Sequence, residues 1–464
     1  MSHEPRRRQP APDLQEHFGD IQGILKSAFI PLRHGVYRLF EVTDPVAARA
    51  WLGQVMGAGL VKSVKELGRN DENIDRKHLH DEIAMLAFSH EGLGRLGLVA
   101  SGELPFPAPF VRGPRQQPSG GRWPDRRTVH VLLAHYHDGT APGHALLRPG
   151  VAQGLTERLT LPTCPSFIGP GGKSTEPFGF RDGIAQPRIN GLHTALPATG
   201  PFADDPRVAP GEFILGHPNE YGELAYCPDV VGWPGDTGRF AMNGSYLAVQ
   251  QIQQHVRRFR DFEARQPAVG RDQPTLTEKM VGRYKDGSPL VACPVPNGDP
   301  AHDQFRYRTE DFDGLQCPRG AHVRRANPRD MLGWDVESGI ATAKLHRLLR
   351  RGRVYAGDPG APDPDLPHVA GDPGPAEGLF FMALNADLDR QFELVESRWL
   401  VNRRFADLSG EDDVAGSAPP ERAFTVQGLP TGERHDQLSP FTTLLGSGYF
   451  FVPSIAALKF IAGA

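Results

Sequence analysis

One pattern constrains the fold of this chain more than any other. An alternating apolar run that hands over to a helical period occurs in both halves. "HGVYRLFEVTDPVAARAWL" (34–52) and "NGSYLAVQQIQQHVRRFRDF" (243–262) share this form, and so do "DEIAMLAFSHEGLGRLGL" (81–98) and "EGLFFMALNADLDRQFELV" (377–395). Alternation puts one set of side chains on one strand face, whereas Leu388, Phe392, Val395 and Trp399 recur at helical spacing. Each half therefore starts and ends with a strand–helix unit. Two similar α+β halves packed together is the simplest predicted fold, although any two strand–helix units resemble each other. Glycine (53) and proline (44) gather at 101–127, about 195–237, 357–378 and 409–422, which read as surface loops.

The 464 residues, 39% hydrophobic and 23% charged, are those of a soluble globular protein long enough to enclose a cofactor. A net charge of −4 supplies no basic field for nucleic acid. Cys164, Cys227, Cys293 and Cys317 are scattered without a CxxC pair, as in a reducing compartment. Arg6-Arg7-Arg8 have no apolar run behind them, so no export signal is read and the expected location is cytoplasmic. The C-terminal "SGYFFVPSIAALKFIAGA" contains Pro453 and Lys459 and reads as a buried tail, with no membrane partner expected.

Four segments could carry chemistry. "KHLHDE" (77–82) and "HVLLAHYH" (130–137) look like metal pairs. His135 and His137 share a strand face, but neither stretch offers a third ligand nearby. "EPFGFRDGIAQP" (176–187) locks Asp182 between Gly179 and Gly183, with Phe178, Phe180 and Ile184 around it, which predicts a carboxylate where water is scarce. In "CPRGAHVRRANPRD" (317–330), Arg324, Arg325 and Arg329 accompany His322. Cations discourage imidazolium, leaving a neutral ring able to coordinate, and they suit an anionic cofactor. The alternative is a basic surface turn. "LHRLLRRGRVYAG" (345–357) predicts a helix with Leu345, Leu348 and Leu349 on one face, ending at Arg350-Arg351-Gly352.

Together these segments resemble the dye-decolourising peroxidase family of haem proteins, in its larger subgroup. "GFRDG" matches the family's GxxDG distal motif, "AHVRRANPR" the segment carrying the proximal haem histidine, and "LLRRGRVYAG" the one carrying the distal arginine. "DIQGILKSAFIPLRHGVYRLFEV" (20–42) resembles the start of the longer members. The three motifs keep the family's order and approximate spacing, and the likeness runs from about residue 19 to 455.

The resemblance implies two ferredoxin-like modules, 19–235 with the distal motif and 236–464 with the proximal histidine and distal arginine, forming a dimeric α+β barrel-like unit with haem b between them. His322 would be the axial ligand to the iron, with Asp182 and Arg350 on the opposite face. Gly179 and Gly183 would let backbone approach the haem, and Arg329 would contact a propionate. Asp387, or failing that Glu393, would hydrogen-bond the proximal ring. Tyr355 would relay electrons, with Trp334 and Trp399 as further candidates. The implied activity is reduction of H2O2 and oxidation of dyes, phenolics or other bulky reductants through a high-valent iron–oxo intermediate; a homo-oligomer is compatible with it. The competing readings are a haem-handling protein with incidental peroxidase activity, peroxygenase or sulfide oxidation on the same haem, and a metal hydrolase built on the histidines.

Overall fold

The repeated strand–helix pattern is realised in both halves of the computed structural model. It describes residues 13–68, 82–116, 118, 123–139, 143–165, 167–168, 174–193, 207–235, 238–270, 273–291, 293, 296, 305–356, 377–408, 410–415 and 422–463. The first half contributes strand β1 (His34–Val42), helix α1 (Pro45–Gly57), and strands β2 (Glu82–Phe88), β3 (Val131–His137) and β4 (Leu155–Pro162). The second contributes strand β5 (Ser245–Gln254), helices α2 (Val256–Arg265) and α3 (His322–Ala326), and strands β6 (Leu349–Arg350), β7 (Arg353–Ala356), β8 (Glu377–Asn385) and β9 (Thr442–Val452). Helix α4 (Ile455–Ala462) ends the described chain. The start of α1 shows why such a run turns helical: Asp44 accepts from Val46 N and Ala47 N, and Pro45 occupies the first turn, where it needs no N–H partner.

The strands form one antiparallel sheet in the order β6–β8–β5–β9–β2–β3–β1–β4, with β7 also on β8. Among the described residues, strands of the two halves meet where β9 pairs β2, at Phe451 and Phe88. The sheet curls, so that Cys164 N, just past β4, donates to Val354 O of β7 at 3.1 Å. The resemblance implies a barrel-like unit, and the curl matches it, but among the described residues no ladder closes the barrel.

Both sheet faces are buried. Tyr37, Leu39, Tyr136, Leu247, Phe380 and Phe450 fill the enclosed face, joined by Ile24, Leu25 and Phe29 of the N-terminal segment. Phe40, Val42, Tyr246 and Phe451 face outward under Trp51 and Leu52 of α1 and Leu458 and Ile461 of α4. The C-terminal tail is thus buried, as expected, and against the first half; Asp20 caps α4 by accepting from Ala456 N at 2.7 Å. Among the described residues no helix is long and apolar enough to cross a membrane.

Two local expectations need correction. Residues 345–352 are not helical: the preceding helix, Val336–Lys344, ends at Leu345, and Leu349 and Arg350 pair with Leu384 and Ala383. The leucine spacing fits a helix, but the tertiary sheet edge overrides it. A Cβ on Gly352 would lie 2.4 Å from Phe380 O, so the backbones there are too close for a side chain. The 388–399 stripe is buried as its spacing predicts, but it lies on two π-helical turns, Asp389–Glu393 and Val395–Leu400. Glu393 N bonds Leu388 O and Val401 N bonds Glu396 O, each five residues back.

That segment carries a pH dependence. Burial pushes the Glu396 carboxyl from 4.5 up to about 7; the Gln250 amide offsets part of this and the charge of Glu393 adds to it. The folded state therefore holds a proton that the unfolded chain releases between about 4.5 and about 7. Stability falls as pH rises through this window and is flat in this respect above it. Glu396→Gln is expected to flatten that stretch of a urea-midpoint profile.

Candidate active site

The site assembles at the end of β5, where the loop around Asp182 meets β6 and α3 lies within electrostatic reach of Arg350. Glu176 organises this loop. Its Oε2 accepts from Phe178 N at 3.0 Å and Gln254 Nε2 at 2.6 Å, and its Oε1 accepts from Phe180 N at 2.8 Å. Gly179 and Gly183 have φ of +96° and +80°, which glycine reaches without strain. A Cβ at either would meet no protein atom within 4 Å, so within the chain the dihedral, not crowding, demands glycine.

The apolar setting of Asp182 differs from expectation. Phe178 and Phe180 are buried, but they turn away into a cluster with Phe259, Met280 and Phe441. Phe178 stacks on Phe259 at 4.2 Å. Asp182 itself is exposed, and its Oδ1 accepts from Gly183 N at 2.6 Å. The aromatics fasten the loop to α2 and do not shield the carboxylate.

Arg350 reaches the same loop: Nη2 donates to Ile184 O at 2.5 Å, and its N–H bonds Gln186 Oε1 at 3.1 Å. Arg347 adds a bond to Ala185 O at 2.7 Å. Arg351 points the other way, as strand alternation requires, and ties Ile24 O and Leu25 O to the sheet.

His322 opens α3. Its Nδ1 lies 3.0 Å from Asp412 Oδ2, which leaves Nε2 as the nitrogen able to coordinate. Its side chain keeps 31% of its surface open, whereas that of Asp412 is wholly buried. Asp412 holds one ring nitrogen while part of the side chain stays accessible, which fits the requirement for an axial ligand. Burial lowers the imidazole pKa, but the charge and hydrogen bond of Asp412 outweigh it and the net shift is upward. The Arg350 guanidinium lies close enough to oppose this. Arg350 thus contacts the Asp182 loop directly and sits within electrostatic reach of His322.

Asp412 was not among the residues selected from sequence. Its Oδ1 accepts from Val414 N and Ala415 N, so both oxygens are engaged. Asp387 instead pairs with Arg390 Nε at 3.5 Å, and Glu393 takes Arg112 and Arg115, each at 2.8 Å. Both project from the 385–400 segment to other partners. "GEDDVAG" reads as a solvated acidic loop; buried arginines opposite it are what draw it inward. Arg325, 1% exposed, donates to the carbonyls of Trp399, Leu400, Asn402 and Gly410. Arg324 donates to Asp311 Oδ2 and Cys317 O. These two arginines are therefore anchors of α3 and do not form the basic surface turn. The Arg329 guanidinium stacks 3.8 Å over Phe305 and donates to Phe305 O.

Tyr355 is buried, stacks on Phe380 at 4.6 Å, and donates to Ile252 O at 3.2 Å. Trp399 is buried too, whereas Trp334 is 89% exposed. Tyr355→Phe is expected to cost about 1 kcal/mol of stability for the lost hydrogen bond, and unchanged dye turnover in that variant would remove Tyr355 as an electron relay. The histidines of "HVLLAHYH" are also engaged in packing and hydrogen bonds. His130 accepts from Val42 N at 2.9 Å, His135 bonds Glu82 at 2.8 Å, and His137 packs against His34. His78 and His80 lie outside the described residues. Cys164, Cys227 and Cys317 form no disulfide.

No protein-family model matches the chain. Among curated proteins it is 31% identical over 303 residues to the multifunctional dye peroxidase DyP2 of Amycolatopsis sp.. That match covers 62% of this chain and about three fifths (61%) of the relative. It is 29% identical over 472 residues to the dye-decolorizing peroxidase AauDyP1 of Auricularia auricula-judae, covering 95% of this chain and 86% of that one. The crystal structure of a fungal DyP-type peroxidase from Auricularia auricula-judae superposes with a TM-score of 0.72 at 25% identity, covering 96% of this chain and 99% of the other. Another similar structure, from work on sulfoxidation by engineering the heme pocket of a dye-decolorizing peroxidase, has a TM-score of 0.73 at 25% identity, with coverage of 96% and 99%.

Proposed function

We propose that the chain is a haem peroxidase of the dye-decolourising peroxidase family that reduces H2O2 at the expense of dyes, phenolics or similar reductants, a reading supported by its likeness to curated members and solved structures of that family. The observation that carries this reading is the His322–Asp412 pair, an imidazole held through Nδ1 by a buried carboxylate, with 31% of its side chain still exposed. We assign the cofactor as haem b, with His322 as the axial ligand and Arg329 as a propionate contact. When bound, the haem iron supplies the two-electron chemistry that cleaves the peroxide O–O bond.

The chain's own residues then have separable tasks. Asp412 fixes the tautomer and orientation of His322 and adds anionic character to the ring, which favours higher oxidation states of a bound metal. Asp182 accepts a proton from one peroxide oxygen and returns it to the other, which departs as water. One group that both accepts and donates can perform both transfers. The Arg350 guanidinium stabilises the negative charge that develops as the O–O bond breaks.

Mixing the haem-loaded protein with H2O2 in a stopped-flow spectrometer tests the reading. A peroxidase gives a rapid, clean change in the Soret band that a phenolic reductant reverses. Slow bleaching without reversal would favour a haem-handling protein.

A further inference from the structure

Asp182 sits in a turn with two positive-φ glycines, so contacts around the loop must hold it in place. We propose that Glu176 is the positioning residue for Asp182, fixing the distal loop to the central sheet through Gln254. This inference rests on the peroxidase reading for its consequence in turnover, but its geometry is independent of that reading.

Three bonds converge on the Glu176 carboxylate. Two come from the backbone of the loop, Phe178 N and Phe180 N, and one from Gln254 Nε2. Main-chain bonds close the same turn, from Glu176 N to Phe180 O at 2.9 Å and from Gly179 N to Glu176 O at 2.8 Å. The anchor is rigid. Gln254 is 5% exposed and ends β5, which is paired on both sides, to Glu377 of β8 and Thr442 of β9. From that strand the linkage runs through Glu176 and six residues of chain to Asp182.

The opposite side of the loop is confined as well. Arg181 N bonds Lys285 O at 3.0 Å, and a Cβ on Gly287 would lie 2.5 Å from Ile184 and 2.8 Å from Arg181. The loop is held between β5 and the 285–287 turn, and the Glu176 carboxylate is the acceptor for the β5 side. Burial raises its pKa; the bonds from Gln254, Phe178 and Phe180 offset this, and the charge of Asp182 adds to it, so the two carboxylates feel each other.

Glu176→Gln tests the assignment, because glutamine keeps one acceptor oxygen and turns a donor toward the other N–H. In the full chain, hydrogen exchange at Phe178 and Phe180 is expected to quicken about tenfold or more, with exchange in β5 and β8 unchanged. In the haem-loaded protein the reaction with peroxide is expected to slow about tenfold. In an Asp182→Asn background, Glu176→Gln should add no further slowing, since it acts through the side chain already removed. Gln254→Leu leaves the carboxylate in place and is expected to loosen the same amides, which keeps the test open if Glu176→Gln fails to fold. Unchanged exchange at 178–182 would overturn the proposal. So would an equal slowing by Glu176→Gln in the wild-type and Asp182→Asn backgrounds. Exchange needs no turnover, so a wild-type protein inert to peroxide would sink the peroxidase reading while exchange still decides the role of Glu176.

Discussion

Arg350→Leu is expected to slow the reaction with peroxide by about 10²–10³-fold, the range seen when one preorganised donor to a developing anion is removed. The guanidinium has two tasks that leucine cannot perform. It presents positive charge toward the Asp182 loop, and it holds Ile184 O, two residues from Asp182. Asp182→Asn is expected to cost less. Water can carry a proton that the carboxylate does not, whereas nothing replaces the guanidinium charge. Stopped-flow rate constants across a peroxide series check the order. Equal and small effects for the two variants would remove both residues from the proposed chemistry. Arg350→Lys separates charge from shape: lysine keeps the charge without the planar fork, so a partial recovery is expected.

The second large effect concerns the other side of the site. Asp412→Ala removes the partner of His322 and leaves Arg325, among the groups that hold Asp412 in its charged form, with one fewer buried counter-charge. Breaking a buried charged contact typically costs about 3–5 kcal/mol, and losing the hydrogen-bond partner of a ligating histidine about 10–100-fold in affinity or activity. Asp412→Ala is therefore expected to lower the urea midpoint and weaken haem retention together. It should also raise the reduction potential of the bound iron, because the imidazole loses anionic character. Spectroelectrochemistry measures the potential. An unchanged potential with intact folding would mean that Asp412 does not tune His322.

How much of this was legible in the sequence depends on what each signal encodes. The strand–helix pattern of β1–α1 and β5–α2 was readable because strand periodicity is local. The continuity of the sheet through β9 and β2 was not, because it rests on a single pair, Phe451 with Phe88, far apart in the chain. Asp182, His322 and Arg350 stood out because their neighbours are unusual for a turn, and contacts 164 and 166 residues apart join Arg350 to the Asp182 loop. Asp412 stayed hidden because consecutive acids in a glycine-flanked loop normally face water. Only the packing of Arg325 beneath the loop shows otherwise. The choice of Asp387 came from its place at the end of β8, yet the π-helical turns that follow carry Glu393 to Arg112 and Arg115, and Asp387 to Arg390. Tyr355 is close in sequence to Arg350, but β7 turns it into the enclosed core against Phe380.

The central claim is that Nε2 of His322 is the position from which this chain holds haem iron. Titrating the purified protein with haem, for wild type and His322→Ala side by side, tests it most directly. Wild type is expected to saturate at one equivalent with a sharp Soret band typical of histidine ligation. His322→Ala should lose that band, and added imidazole should restore part of it. Identical spectra and affinities for the two proteins would contradict the assignment.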